Sequence, residues 1–412
     1  MDIKLIRKVI LDCLKVGHPS YPKSDVLTFA CDNDRYIDFN GKKYSPLIDT
    51  LEDDLNKLGL TTVSITRIAS TIKGDISYGN ALSPEGPFAR AMILKRLKGM
   101  TTSDYPFSHY EYSIWQYILD KVMPKVVVGI NPSRELCKLC HERGIWVADI
   151  QHGVISDSHP WYGEKFRSSD PNCWLPSAFL VWDEGSFEVM DKWCQGRGID
   201  VIQTGNPWIS RFLKKEASDK LVTFLTNKHP IVVDKKKRTI VLSLSWGDVT
   251  IPNGFIHPEL ERFMKQHKDE FNWIVRLHPN QLKGFASDEG VRFSKYWGER
   301  FSEFDIDWEY YSSIPLPLIL SNVDYHITWS SSVCIEAAKF NVKSLVMNPE
   351  FRSTKSDYYT ELENQGFVYK IECKYELISN WLITTPPRGR DSFNSVLRYR
   401  ELLNFIKERA TN

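Results

Sequence analysis

From Tyr21 onward the chain alternates two kinds of segment. Short runs rich in Val, Ile and Leu occupy residues 26–31, 61–66, 125–130, 145–150, 178–182 and 201–204. Between several of them lie helix-length stretches, over residues 88–98, 133–143 and 186–195, with apolar positions at helical spacing. A strand that is apolar along its whole length must be covered on both faces, and a parallel sheet flanked by helices provides that cover. The spacing therefore predicts a doubly wound α/β domain over residues 1–215. Residues 216–238 are polar and end in the run Lys235-Lys236-Lys237-Arg238, the composition of a solvated basic linker. The alternation restarts at 239–245, with strands at 272–277, 324–328 and 343–347 and helices at 258–268 and 331–340. This predicts a second α/β domain over residues 239–391. Residues 392–412 read as a closing helix that crosses back to the first domain, and residues 1–16 as an amphipathic helix.

Length and charge narrow the function classes. At about 150 residues per domain, 412 residues suit two to three domains. The 53 Lys and Arg nearly cancel the 52 Asp and Glu, leaving +1, so no global field exists to hold nucleic acid. No run of about 18 apolar residues occurs, so no membrane-spanning helix is expected and any membrane association would be peripheral. Eight scattered cysteines, behind an N-terminus interrupted by Asp2, Lys4, Arg7 and Lys8, suit reduced thiols in the cytoplasm. The 13 Trp, 18 Tyr and 21 Phe demand either an aromatic core or stacking surfaces. Trp146 and Trp273 lie inside strands and read as core, whereas Trp182, Trp246 and Trp329 fall at strand ends. Neither a phosphate loop ending in Gly-Lys nor a Gly-x-Gly-x-x-Gly turn is present, which removes the main support for an ATPase or a dinucleotide enzyme. Cys137-Lys138-Leu139-Cys140-His141 has the spacing of a haem attachment site. It also fits an amphipathic helix with both thiols buried, and no haem or metal is expected there.

Ligands of doubly wound sheets bind outside the carboxyl ends of the strands. In the second domain those ends carry Trp246-Gly247-Asp248, Arg276-Leu277-His278-Pro279 and Trp329-Ser330-Ser331-Ser332, with Glu336 one and a half helical turns beyond. Ser330 to Ser332 stand where a helix begins, and taken alone read first as a helix cap and second as a phosphate cradle. A strand-end His278 can donate to a phosphate, Pro279 fixes its turn, and Glu336 can reach a ribose hydroxyl. In the first domain the ends carry Asp149-Ile150-Gln151-His152-Gly153 and Trp182-Asp183-Glu184-Gly185. Asp183 and Glu184 suit either a general base or the positive end of the following helix.

The ordered set Asp183-Glu184-Gly185, His278-Pro279 and Ser330-Ser331 resembles the acidic-acidic-Gly, His-Pro and Ser-Ser motifs of bacterial transferases that use CMP-activated acidic sugars. These include sialyltransferases and the Kdo transferases of capsule and lipopolysaccharide assembly. The resemblance runs from Asp183 to Ser331 and implies the GT-B fold, two Rossmann-like domains facing a central cleft. It implies that His278, Ser330 and Ser331 hold the CMP portion of the donor; Arg276, Ser332 and Glu336, read from their places at the strand ends, are the further candidate donor contacts. The Gln151-His152-Gly153 loop is similar to one in several capsule and O-antigen transferases, which turns the expectation from sialic acid toward Kdo. Gln151, His152 and Trp246 are then the candidate sugar contacts. By resemblance to retaining β-Kdo transferases, Asp248 is the candidate nucleophile, forming a glycosyl-enzyme adduct as CMP leaves. An inverting enzyme would instead use Asp183 or Glu184 as base. The alternatives are a UDP-sugar transferase or epimerase of the same fold, and a non-catalytic glycan-binding assembly module. The leaving group can be stabilised by hydroxyl and imidazole donors, so neither cofactor nor metal is expected. The implied partners are a nucleotide-sugar donor and a lipid-linked or oligosaccharide acceptor at the cytoplasmic face of the inner membrane.

Overall fold

The apolar runs form two separate parallel sheets. The structure, a computed structural model, describes residues 11–15, 17–66, 70–97, 107–156, 162, 167–214, 216–245, 250–252, 254–282, 287–353, 359–388 and 395–411. One unit ends at Arg211 and takes in the C-terminal helix Ser395–Thr411; the other begins at Phe212. The amphipathic helix expected over residues 1–16 lies largely outside the described residues.

The first unit contains β1 (Val26–Ala30), the antiparallel hairpin β2 (Ile37–Phe39) and β3 (Lys42–Tyr44), β4 (Thr62–Thr66), β5 (Val126–Gly129), β6 (Trp146–Ile150), β7 (Ala178–Val181) and β8 (Asp200–Gln203). Six of them form a parallel sheet in the order β4-β1-β5-β6-β7-β8. Alternate residues of each strand face opposite layers. Val26, Val126, Val128 and Ala148 pack under Ile48, Leu51, Tyr399, Leu402 and Ile406 from the helices Ile48–Lys57 and Ser395–Thr411. Leu27, Phe29, Val127 and Val147 pack against Phe88, Trp115, Ile118 and Leu136 on the other face. The continuous strand pattern is thus the trace of two covered faces.

A charged cluster interrupts the first of these layers. Arg35 is 1 % exposed, and its Nη1 donates to both carboxylate oxygens of Asp49 at 2.6 Å while Nη2 donates to Ser64 Oγ at 2.9 Å. One turn beyond Asp49, buried Glu52 accepts a hydrogen bond from the Thr28 hydroxyl. Burial, with the Asp49 charge adding to it, pushes the Glu52 carboxyl up to about 8. Between the ordinary 4.5 and about 8 the folded protein therefore binds the proton that the unfolded chain has released, and stability falls as pH rises through that window. Glu52→Gln is expected to remove that slope and to stabilise the protein at pH 8 by roughly 1–3 kcal/mol. Urea melts of both proteins at pH 5, 6.5 and 8 check this, and parallel pH dependences would refute it.

The second unit contains β9 (Arg238–Ser243), β10 (Phe271–Arg276), β11 (Tyr325–Thr328), β12 (Lys343–Val346) and β13 (Val368–Lys370), all parallel, in the order β10-β9-β11-β12-β13. Ile240, Leu242, Val275, Ile327 and Leu345 face Leu260, Phe263, Phe293, Trp297 and Trp381 on one side. Cys334, Val346, Tyr359 and Val368 form a smaller core on the other. Residues 216–238 hold the helix Lys220–Lys228, capped by Asp219 at its N-terminus and seated through buried Leu221 and Leu225, and Arg238 opens β9. Among the described residues no helix is long and apolar enough to cross a membrane.

Candidate functional site

In the second sheet the order reverses between β9 and β11. The chains leaving these neighbours diverge, and a crevice opens at their carboxyl ends. Two serines staple its floor. Ser245, two residues past β9, accepts from the Ser330 amide at 3.1 Å, and the two hydroxyls lie 3.0 Å apart. Thr328 Oγ1 donates to the Ser243 carbonyl at 2.7 Å and accepts from the Ser331 amide at 3.2 Å. Ser331 Oγ accepts from the Val333 amide at 3.3 Å as the helix Val333–Lys339 begins. The capping hydrogen bond thus belongs to Ser331, while Ser332 is exposed and its side chain caps nothing.

His278 is carried by a turn that residues outside the sequence motifs hold in place. Its amide donates to Gln281 Oε1 at 2.9 Å, and its carbonyl accepts from the Gln281 amide at 2.9 Å. The same glutamine, fully buried, donates from Nε2 to Glu289 at 2.9 Å and to the Ser245 carbonyl at 3.4 Å, tying the turn to the end of β9. Burial, with Arg276 adding to it, lowers the His278 imidazole to about 4. It stands as a neutral donor and acceptor at neutral pH. Arg276 directs Nη1 at the carbonyls of Tyr311 (3.0 Å) and Ile314 (2.5 Å), so it clamps the neighbouring turn. Burial raises the Glu336 carboxyl to about 7 against the pull of Arg276. Trp329 is 7 % exposed; its indole N–H donates to Thr250 Oγ1 at 2.8 Å and its ring lies parallel to His257, centroids 5.6 Å apart. Trp246 and Asp248 lie outside the described residues.

Gly290 explains how close the supporting helix Ser287–Arg300 comes. A Cβ there would stand 2.2 Å from the main-chain oxygen of Gln281. Gly290→Ala is expected to displace the His278 turn, cost about 1–3 kcal/mol and weaken ligand binding at the crevice together with stability. Wild-type melting with unchanged nucleotide affinity would refute that coupling.

In the first unit the strand ends gather a second polar group. Gln151 is 1 % exposed, with Oε1 accepting from the Trp182 amide at 2.7 Å and Nε2 donating to Gly153 O (2.8 Å) and Ser186 Oγ (3.1 Å). Its amide is engaged at both ends within the unit and bolts the ends of β6 and β7 together. His152 faces Tyr162 through Nδ1 at 2.6 Å, and Asn131 Nδ2 lies 3.4 Å from Nε2. Asp183 caps the helix Glu184–Cys194 by accepting from the Ser186 amide at 2.9 Å. Its other oxygen is buried with no hydrogen-bond partner among the described residues. Glu184 is exposed, 3.6 Å from Arg398.

No family model and no curated protein matches the chain. Solved structures do. The UDP-GlcNAc 2-epimerase of Methanocaldococcus jannaschii aligns with a TM-score of 0.56 at 12 % identity, over 93 % of this chain and 99 % of that one. The Neisseria meningitidis UDP-GlcNAc 2-epimerase, solved with UDP-GlcNAc, gives 0.53 at 14 % over the same shares. The wall teichoic acid polymerase TagF gives 0.53 at 12 %, over 99 % of this chain and 89 % of that one. The fold is GT-B.

Within this GT-B chain the structure joins Ser330, Ser331 and the His278 turn through Ser245 and Gln281, which the sequence motifs did not include. Ser245 directly precedes Trp246 and Gln281 follows Pro279 by two residues, and each carries the small or amide side chain that a strand-end turn uses. Cys137 and Cys140 are buried in the helix Arg134–Glu142, where burial pushes the Cys137 thiol up to about 12. His141 Nε2 lies 2.9 Å from the Leu175 carbonyl. Among the described residues no cluster of His, Cys, Asp or Glu could hold a metal ion.

Proposed function

We propose that the chain is a glycosyltransferase that moves an acidic sugar, Kdo, from its CMP-activated donor to a growing bacterial surface polysaccharide at the cytoplasmic face of the inner membrane. The observation that carries this reading is the stapled crevice between β9 and β11, where the Ser245 and Ser330 hydroxyls and the Ser331 turn are tied through Gln281 to the turn that carries a neutral His278. Such a set can hold a phosphate by hydrogen bonds. Ser330 and His278 would donate to the CMP phosphate. Arg276 would hold the adjoining turn, and Glu336, protonated below about pH 7, would meet a ribose hydroxyl. On the retaining route Asp248 attacks the anomeric carbon, the bond to the CMP oxygen breaks, and the acceptor hydroxyl later displaces the carboxylate as its proton passes to a base. On the inverting route a base takes that proton during direct attack. The candidate bases are Asp183, one oxygen of which caps its helix while the other has no hydrogen-bond partner among the described residues, and exposed Glu184.

A second reading, nucleotide-sugar epimerisation, is favoured by the names of the epimerase neighbours. One experiment separates the two. Purified protein is mixed with CMP-Kdo and an oligosaccharide acceptor, or with UDP-GlcNAc alone, with and without EDTA, and products are followed by mass spectrometry and NMR. Transfer of Kdo that survives EDTA, with thermal protection by CMP, supports the transferase. Epimerised UDP-GlcNAc, with protection by UDP and silence from CMP, overturns it.

A further inference from the structure

Beside Trp329, past the ends of β12 and β13, the second unit holds a cavity of about 530 Å³ that none of the motif residues except Trp329 lines. That size suits a single sugar ring with its substituents. We propose that this cavity receives the transferred sugar of the donor, and that Arg352 reads the sugar's carboxylate. The proposal rests on the CMP-sugar reading above and adds the place and the selector of the sugar.

Three observations carry it. The first is the order of strands along the carboxyl edge. Arg276 ends β10, the Ser245–Ser330 staple spans β9 and β11, Met347 and Pro349 follow β12, and Glu372 and Lys374 follow β13. With the phosphate at Ser330 and the ribose near Glu336, whose carboxyl feels Arg276, the nucleoside occupies the β10 side. The group on the other side of the phosphate then points along the edge toward β12 and β13, where the cavity lies. The second observation is the wall. Trp329 and His257 lie within 15° of parallel, and buried Met347 continues the apolar surface. A sugar presents a C–H face to such rings.

The third is the charge at the rim. Three carboxylates line the rim: Lys374 is 2.9 Å from Glu372, and Arg262 is shared between Glu259 at 2.9 Å and Glu376 at 3.5 Å, so each has a cation beside it. Arg352, exposed on the short helix Pro349–Ser353, adds its charge to the Lys374 hydrogen bond in holding the Glu372 carboxyl below its usual range, but its guanidinium N–H groups make no hydrogen bond among the described residues. Its guanidinium therefore offers a two-pronged donor to an incoming carboxylate. A neutral sugar has no group that needs it.

Titration calorimetry on the whole chain tests this with CMP, CMP-Kdo and CMP-N-acetylneuraminate. In the wild type each acidic-sugar nucleotide is expected to bind about tenfold more tightly than CMP. Arg352→Met should reduce that advantage to within about twofold while CMP affinity stays unchanged, and Arg352→Lys should restore part of it. Ser330→Ala should weaken CMP and the sugar nucleotides alike. If Arg352→Met keeps the full advantage, the cavity assignment is overturned and the donor reading stands. If CMP itself fails to bind the wild type, the donor reading falls and the assignment falls with it.

Discussion

Replacing Arg35 with methionine is expected to cost about 3–5 kcal/mol, the usual result of stranding a buried charge by removing its partner. The guanidinium and the Asp49 carboxylate are both fully buried, and the pair is 2.6 Å apart. Burial raises the Asp49 carboxyl to about 6, with Arg35 as the main influence pulling it down. Without that cation, Asp49 and Glu52 share one low-dielectric layer, and each makes the other harder to ionise. The double change Arg35→Met with Asp49→Leu should recover much of the loss, because both charges are then gone and the volume is kept. Urea denaturation of the wild type, both single variants and the double variant closes the cycle. A single-variant loss below about 1 kcal/mol would show that the pair is not the keystone of this layer.

The largest effect on ligand handling is expected from His278→Ala. The turn is held by Gln281 through main-chain groups, so the loop survives loss of the ring while the donor at the crevice disappears. If the chain is the proposed transferase, transfer should fall about 100- to 1,000-fold in kcat/KM, the range seen when one preorganised donor to a developing charge is removed. With its imidazole held near 4 by burial, His278 is neutral from about pH 5 upward. The wild-type kcat/KM profile should therefore show no inflection near pH 6.5 that His278→Ala abolishes. Finding such an inflection would mean that the ring works as a cation, against the burial argument. His278→Gln, which keeps a donor of similar reach, should lie between the two.

The sheets were legible in the sequence because their strands are covered on both faces and read as unbroken apolar runs. The charged layer beneath Ile48–Lys57 was not. Arg35, Asp49 and Glu52 look like solvated positions, and only three-dimensional pairing lets them be buried. The same reasoning accounts for residues 216–238, where two buried leucines suffice to seat a nine-residue helix amid lysines. At the crevice, the position of Ser330 and Ser331 followed from the alternation of strand and helix, but the division of labour between neighbouring serines did not. Which hydroxyl caps and which one spans the crevice depends on fractions of an ångström in the turn. Arg276 shows the opposite limit. Its place at a strand end could be read from the sequence, yet its guanidinium turns toward carbonyls of residues 35 and 38 positions away in the chain.

The closing helix gives the connectivity a consequence for biogenesis. Tyr399, Leu402, Leu403 and Ile406 complete the core that Val26 and Ile48 begin, although the whole second unit is synthesised between them. In chain order the second unit is an insertion within the first. A ribosome finishes the second sheet while the first still lacks part of its cover, so the unit that emerges earlier closes later. A nascent chain halted before Ser395 would expose the apolar surface of Ile48, Leu51 and Val126, and expression of residues 1–211 alone would meet the same fate.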